Sequence, residues 1–187
     1  MRKIVLYTLM SLDGDVDDPN LYFRDSPERG GPPAFDAAMK ANEAKVIGAQ
    51  DAVLLGRHMF DEWSGYWPTV EDEPFADFIN NVKKYVVTST PLSNAWHNAE
   101  AVHGPIEELV RDLARLPGGD IGVHGSITLA QSMLAANLVD ELHLVVGPAA
   151  GFAGRRLFAN VEKVRHLELV SAMPTPSGSL LLDYRMT

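Results

Sequence analysis

Residues 120–148 read DIGVHGSITLAQSMLAANLVDELHLVVGP. An apolar run of strand length, Asp120 to His124, meets Gly125, and Ser126 follows in a position suited to cap a helix. That helix carries Leu129, Ala130, Met133 and Leu134 on one face of a 3.6-residue period. A second apolar run, Leu142 to Val146, stops at Gly147-Pro148. Strand, helix and strand in so short a span is a βαβ unit, whose strands lie parallel and are joined by a right-handed crossover.

The pattern repeats towards the amino terminus. Ile106, Leu109, Val110, Leu113 and Leu116 form an amphipathic stripe closed by Pro117-Gly118-Gly119. Tyr85 to Val87 reads as a strand that exits into Thr88-Ser89-Thr90. Before it, Pro74 to Val82 reads as a helix with Phe75, Phe78, Ile79 and Val82 on one face. Ala52 to Leu55 is a buried strand stopped by Gly56. Phe35, Ala38, Met39, Asn42 and Val46 fall near helical spacing, and Ile4 to Leu9 is the first strand. Towards the carboxyl terminus, His166 to Ala172 and Leu180 to Met186 flank Pro174 to Gly178 and read as a hairpin. These elements predict one domain, Met1 to Thr187, built as a three-layer α/β/α sandwich. Its sheet is mixed and mostly parallel, with an antiparallel hairpin at one edge.

Apolar types make up 46% of the 187 residues and charged types 22%, enough to fill one core. Sixteen Lys and Arg against 25 Asp and Glu leave a net charge of -9. That balance argues against a nucleic-acid or anionic-membrane surface, but not against a small phosphate-bearing ligand. The chain has no cysteine, which excludes disulfides, thiolate metal sites and thiol nucleophiles. The first apolar run is too short to span a bilayer and lacks a signal-peptide cleavage pattern, so a cytoplasmic location is expected.

In an open parallel sheet, ligands bind beyond the carboxyl ends of the strands. Those ends carry Ser11 and Asp13-Gly14, then Gly56-Arg57-His58, Thr88-Ser89-Thr90, His124-Gly125-Ser126 and, after the last parallel strand, Arg155-Arg156. Glycines, hydroxyls and isolated arginines at several ends suit phosphate. Taken singly, each has a plainer reading: Gly56-Arg57 as a turn with a solvated side chain, Ser126 as a helix cap. No GxGxxG follows a strand, and no Walker A loop, HExxH or GxSxG is present. Asp13, Asp15, Asp17 and Asp18 fail as a calcium loop, since position six is Asp18 rather than Gly and position twelve is Arg24 rather than Glu. No metal is expected. In the aromatic stretch Phe60 to Pro68, Trp63 is expected to pack the core and Trp67 to stack on a flat heterocycle.

MSLDG after the first strand, LLGRHMFDEW after the second, YVVTST at the third, and the Gly122 to Pro148 stretch followed by GRRLF resemble dihydrofolate reductase-fold proteins. The resemblance is closest to stand-alone proteins similar to the reductase domain of the riboflavin-biosynthesis deaminase-reductase, and it runs from Met1 to Phe158. It implies an NADPH-dependent reductase, usually dimeric, acting on a small heterocycle of pteridine, pyrimidine or flavin kind. Carried onto this chain, Gly56, Arg57, His58, Gly125 and Ser126 meet the cofactor phosphates, Ser89 faces the 2′-phosphate, and Arg57 and Ser89 together are expected to select it. Asp13 lies by the nicotinamide and substrate as the catalytic polar group; Ser11 and Trp67 are the substrate-side candidates. Two positions depart from the family pattern. Met59 stands where threonine is common, and the loop Gly147 to Gly154 is altered. These departures motivate one alternative, a non-catalytic nucleotide-binding dimer on the same fold; the phosphate edge and the aromatic segment motivate another, a flavin-binding protein. The substrate-binding acid of true dihydrofolate reductases has no matching position; Asp36 falls on the first predicted helix at a spacing that decides nothing. Substrate choice is expected to lie in Pro19 to Pro33 and Ser64 to Asp72.

Overall fold

The structure, a computed structural model, describes residues 1–23, 25 and 33–187. Part of the expected substrate-selecting stretch Pro19 to Pro33 therefore lies outside the described residues. Among the described residues eight strands are formed: β1 (Ile4–Ser11), β2 (Gln50–Gly56), β3 (Lys83–Val87), β4 (Ala99–Val102), β5 (Asp120–His124), β6 (Glu141–Gly147), β7 (Leu167–Pro174) and β8 (Leu180–Met186). The helices are α1 (Pro19–Tyr22), α2 (Ala37–Gly48), α3 (Arg57–Tyr66), α4 (Pro74–Asn81), α5 (Ile106–Arg115) and α6 (Ile127–Ala135), and a 3-10 turn at Trp67–Thr69 follows α3.

The strands make one sheet in the order β4-β3-β2-β5-β1-β6-β8-β7. From β4 to β6 every pair is parallel, whereas β8 runs antiparallel to β6 and β7 antiparallel to β8. The mostly parallel sheet and the closing hairpin are as the sequence predicts. Strand β4 is not: AEAV is short, carries weak strand formers and sits half-exposed at the edge, so no apolar run announces it. The aromatic stretch is a ten-residue helix that begins directly after Gly56. Leu116, the last residue of the α5 stripe, lies beyond the helix and is exposed.

Alternation along the strands sorts the core into two sides. Leu6, Leu54, Ile121 and Val123 pack with Val110 and Leu113 of α5 and Met133 and Leu134 of α6. On the opposite face Val5, Tyr7 and Val145 meet Met39 and Val46 of α2, and Val53, Leu55 and Val86 meet Phe60 of α3 and Phe75 and Ile79 of α4. This is the three-layer arrangement. Each fully buried Leu, Ile or Phe contributes about 1.5–3 kcal/mol to it.

Two polar groups fix the helices of the second face. Asp36 precedes α2 as its N-cap: one carboxylate oxygen accepts from the Ala38 and Met39 amides at 2.9 and 3.1 Å. Its other oxygen accepts from the Ser177 amide at 2.9 Å, tying α2 to the hairpin turn, so this acid is structural. Lys84 is fully buried and donates to the carbonyls of Ile79, Val82 and Asn80 at the end of α4, at 2.7, 2.8 and 3.3 Å. A cation there meets the negative end of the helix dipole, although burial lowers its pKa to about 8.

Candidate functional site

Because β1, β2, β3, β5 and β6 are parallel, their carboxyl ends share one edge of the sheet. A cleft of about 1690 Å³ runs along that edge. At one end it meets the starts of α3 and α6. Helix α3 leaves β2 at Arg57 and α6 leaves β5 after Ser126, and neither start has a side-chain cap. Ser126 stands at the N-cap position of α6, but its hydroxyl does not cap that helix. It accepts instead from the Gly56 amide at 2.8 Å, which pins the two helix starts side by side. Their first-turn amides therefore remain available to an anion, and two positive dipole ends converge on it. The turn between β5 and α6 requires glycine at 125: its φ is +66°, and a Cβ there would lie 2.7 Å from Trp63.

The expected phosphate residues are partly brought together. Gly56, Arg57, His58, Gly125 and Ser126 all line the cleft. Ser89 is exposed at the exit of β3 and is not part of the cleft wall. The Arg57 guanidinium reaches across to the loop after β3, where Nη1 donates to Thr90 Oγ1 and the Pro91 carbonyl, both at 2.7 Å. Met59 lines the cleft beside Gly125.

The inner end of the cleft is aromatic, with Tyr7, Trp67, Phe75 and His124 in its wall. Trp67 meets Trp63, Tyr66 and Phe75 edge-on. Its buried indole N–H has no partner, and neither has the buried Tyr7 hydroxyl. Glu43 enters from α2. Burial, then the charge of Glu73, raises its carboxyl to about 7, against a smaller opposite effect of Lys40. Burial also lowers His124 to about 3, so its imidazole is neutral; Nε2 bonds the Gln50 side-chain oxygen at 2.8 Å. Gly122 leaves room for that contact, since a Cβ there would collide with both groups. The result is an apolar slot holding a hydroxyl donor, an indole donor and a carboxyl poised between its two protonation states.

Glu43 and Tyr7 are absent from the residues that the sequence singles out, and His124 is named there only as a strand-end residue. Glu43 has a signal: it sits four after Met39 and three before Val46, a charged side chain on the buried stripe of α2. Tyr7 has none, because an aromatic residue in a buried strand reads as core.

Ser11 and Asp13 lie outside the cleft lining. Ser11 is fully buried; its hydroxyl donates to Asp13 at 2.6 Å and accepts from the Asp15 amide at 2.9 Å. Asp13 also accepts from the Gly151 amide at 3.0 Å and lies 3.2 Å from Arg156. The Ser11 hydroxyl above all, then Gly151 and Arg156, hold the Asp13 carboxyl down to about 2. Asp17 pairs with Arg155, accepting from its amide at 2.8 Å and from its guanidinium. Backbone bonds complete the seam: Leu12 to Ala149, Val16 to Arg155 and Leu157 to Gly14. The altered loop after β6 is thus the docking partner of the acidic stretch after β1.

A parallel sheet with two open helix starts at one end of its cleft, an aromatic slot with a half-buried carboxyl at the other, and a closing antiparallel hairpin defines a dihydrofolate reductase-like fold. Within that class the chain belongs to the RibD C-terminal domain family, whose model matches residues 2–181. It is 26% identical to the uncharacterized protein YyaP of Bacillus subtilis (strain 168), over 98% of this chain and 94% of that one. A protein of Shewanella sp. PV-4, solved as a candidate riboflavin biosynthesis protein, superposes with a TM-score of 0.75 at 15% identity, covering 99% of both chains. Dihydrofolate reductase from Enterococcus faecalis, complexed with NADP(H) and RAB-propyl, gives 0.60 at 14% identity, over 99% of this chain and 96% of that one. Among the described residues no helix is long and apolar enough to cross a membrane.

Proposed function

We propose that the protein is a reductase that delivers hydride from NADPH to a small flat nitrogen heterocycle of pyrimidine, pteridine or flavin type. The observation that carries this reading is the cleft itself, with convergent open helix starts at one end and, at the other, a half-buried Glu43 whose carboxyl is pushed up to about 7. The amides following Gly56 and Ser126, with His58 nearby, would hold the diphosphate, and Gly125 would let it approach. When bound, NADPH supplies the hydride. Glu43, its carboxyl pushed up to about 7, holds a proton on part of the molecules at neutral pH and supplies it to a substrate nitrogen. Tyr7 and Trp67 donate to acceptor atoms on the edge of the ring and orient it. Asp13, ionised and fully engaged, would hold the loop that borders the nicotinamide rather than move a proton.

Titration of tryptophan fluorescence with NADPH tests the reading, because Trp63 and Trp67 border the cleft. Saturable quenching is expected, and no binding at millimolar NADPH would sink the proposal. Met59, lying against Gly125 where the family commonly has a hydroxyl, favours a second reading, a nucleotide-binding protein without turnover. Reduction of any pteridine, pyrimidine or quinone substrate removes it.

A homodimer is the expected assembly, and the edge strand β7 is our candidate surface. Seven of its eight residues are exposed, among them Leu169, Val170 and Met173. An unpaired apolar edge of this length is a pairing template. Val170→Lys should convert the protein from dimer to monomer in light scattering; a monomeric wild-type protein at micromolar concentration would refute the assignment.

A further inference from the structure

We infer that the protein discriminates little between NADPH and NADH, because the arginine at the phosphate end of its cleft is already neutralised by Asp61. The inference rests on the dinucleotide reading above and concerns the part of the ligand where the two cofactors differ, the 2′-phosphate.

Arg57 is the residue whose charge would be asked to select that phosphate. Its Nε donates to both oxygens of Asp61, at 2.8 and 2.9 Å, one turn along α3. Nη1 donates to Thr90 Oγ1 and to the Pro91 carbonyl, and Nη2 to Ser93 Oγ at 3.0 Å. A guanidinium has five N–H groups. Four of them are satisfied within the protein, and the ion pair uses the positive charge. Ser93 itself donates to Asp61 at 3.3 Å, so the three side chains form a closed cluster that straps the loop after β3 onto α3.

A 2′-phosphate brought to Arg57 meets the Asp61 carboxylate beside it, and like charges at that range oppose each other. Nothing nearby compensates among the described residues. His58 is almost fully exposed with Glu62 at 4.0 Å, and the remaining cations of the cleft, Lys40 and Arg155, lie by Glu43 and Asp17. A ribose 2′-hydroxyl has the opposite relation to Asp61, since it can donate to the carboxylate, the interaction by which acidic residues accept NADH elsewhere. Asp61 is therefore a specificity-determining residue, and Arg57 a strut.

Dissociation constants for NADPH and NADH, measured by fluorescence titration at one fixed low ionic strength, read this out directly. The wild-type protein should bind the two within about tenfold of each other. Asp61→Asn keeps an oxygen for Arg57 but removes the charge; it should tighten NADPH by about tenfold relative to NADH. Asp61→Ser, with a melting curve as a check of folding, serves if the asparagine variant misfolds. Arg57→Ala should weaken both nucleotides alike, since it releases the strap. Three results overturn the inference while leaving the reductase reading intact: NADPH bound more than about a hundredfold tighter than NADH, an unchanged ratio in both Asp61 variants, or a loss confined to NADPH in Arg57→Ala. Failure of both nucleotides to bind would overturn the reductase reading instead.

Discussion

Glu43→Gln should lower turnover of a reducible heterocycle by about 10²–10⁴-fold and remove the ionisation near neutrality from the pH–rate profile. The expectation follows from where the carboxyl sits. Burial, then Glu73, raises it to about 7, so it still holds a proton at a pH where an ordinary glutamate has lost it. The wild-type rate should fall as pH rises through about 7, while the glutamine variant stays flat at its low level. Asp13→Asn supplies the contrast. Its carboxyl is held at about 2, so replacing it should alter the rate without moving the profile.

Stability gives an independent reading of Glu43. Its folded pKa lies above the unfolded value of 4.5, so the folded chain holds the proton more tightly. The resulting stabilisation is complete below pH 4.5 and is lost as pH rises through about 7. At pH 8 the glutamine variant should therefore be more stable than wild type, by about 2 kcal/mol once partial solvent access is allowed for. Urea unfolding at pH 5 and pH 8 checks this, and equal differences at both would show that Glu43 titrates normally.

Gly125→Ala should destabilise the fold by about 2–4 kcal/mol and weaken nucleotide binding more than about tenfold. The left-handed backbone accounts for about 1–2 kcal/mol of that. A Cβ 2.7 Å from Trp63 and 3.2 Å from Met59 accounts for the rest, because both neighbours belong to the packed side of α3. Relief by a shift of α6 away from Gly56 would separate the two helix starts proposed to share the anion. Gly151→Ala is the control: its φ is +97°, but no atom lies within 4 Å of the added Cβ, so only the backbone term applies. Denaturant midpoints and NADPH titrations on both variants separate crowding from conformation. Equal losses would assign everything to the backbone.

Regular elements announce themselves through period, and residues 120–148 do so within one stretch. Strand β4 escapes because an exposed edge needs no apolar alternation. At the site, the strand ends mark the half of the cleft where α3 and α6 start, since glycine and helix starts leave a local trace. The inner half leaves little. Tyr7 is ordinary core until its hydroxyl proves unpartnered, and the protonation of Glu43 depends first on burial and then on Glu73, 30 residues away. Ser126 shows the same limit in reverse: its residue type fits a cap, yet its hydroxyl goes to a strand end 70 residues distant. The acidic run after β1 looks like a metal loop without its glycine, and becomes intelligible only beside Arg155 and Arg156.

That seam makes the two loops interdependent. Asp13 and Asp17 are matched to Arg156 and Arg155, Leu12 to Ala149, and Gly154 has no room for a side chain against Asp15 and Asp17. Neither loop can lengthen, shorten or change sign without stranding a charge on the other. Diversification of this edge is therefore a two-site event, in which both segments are exchanged together or neither is.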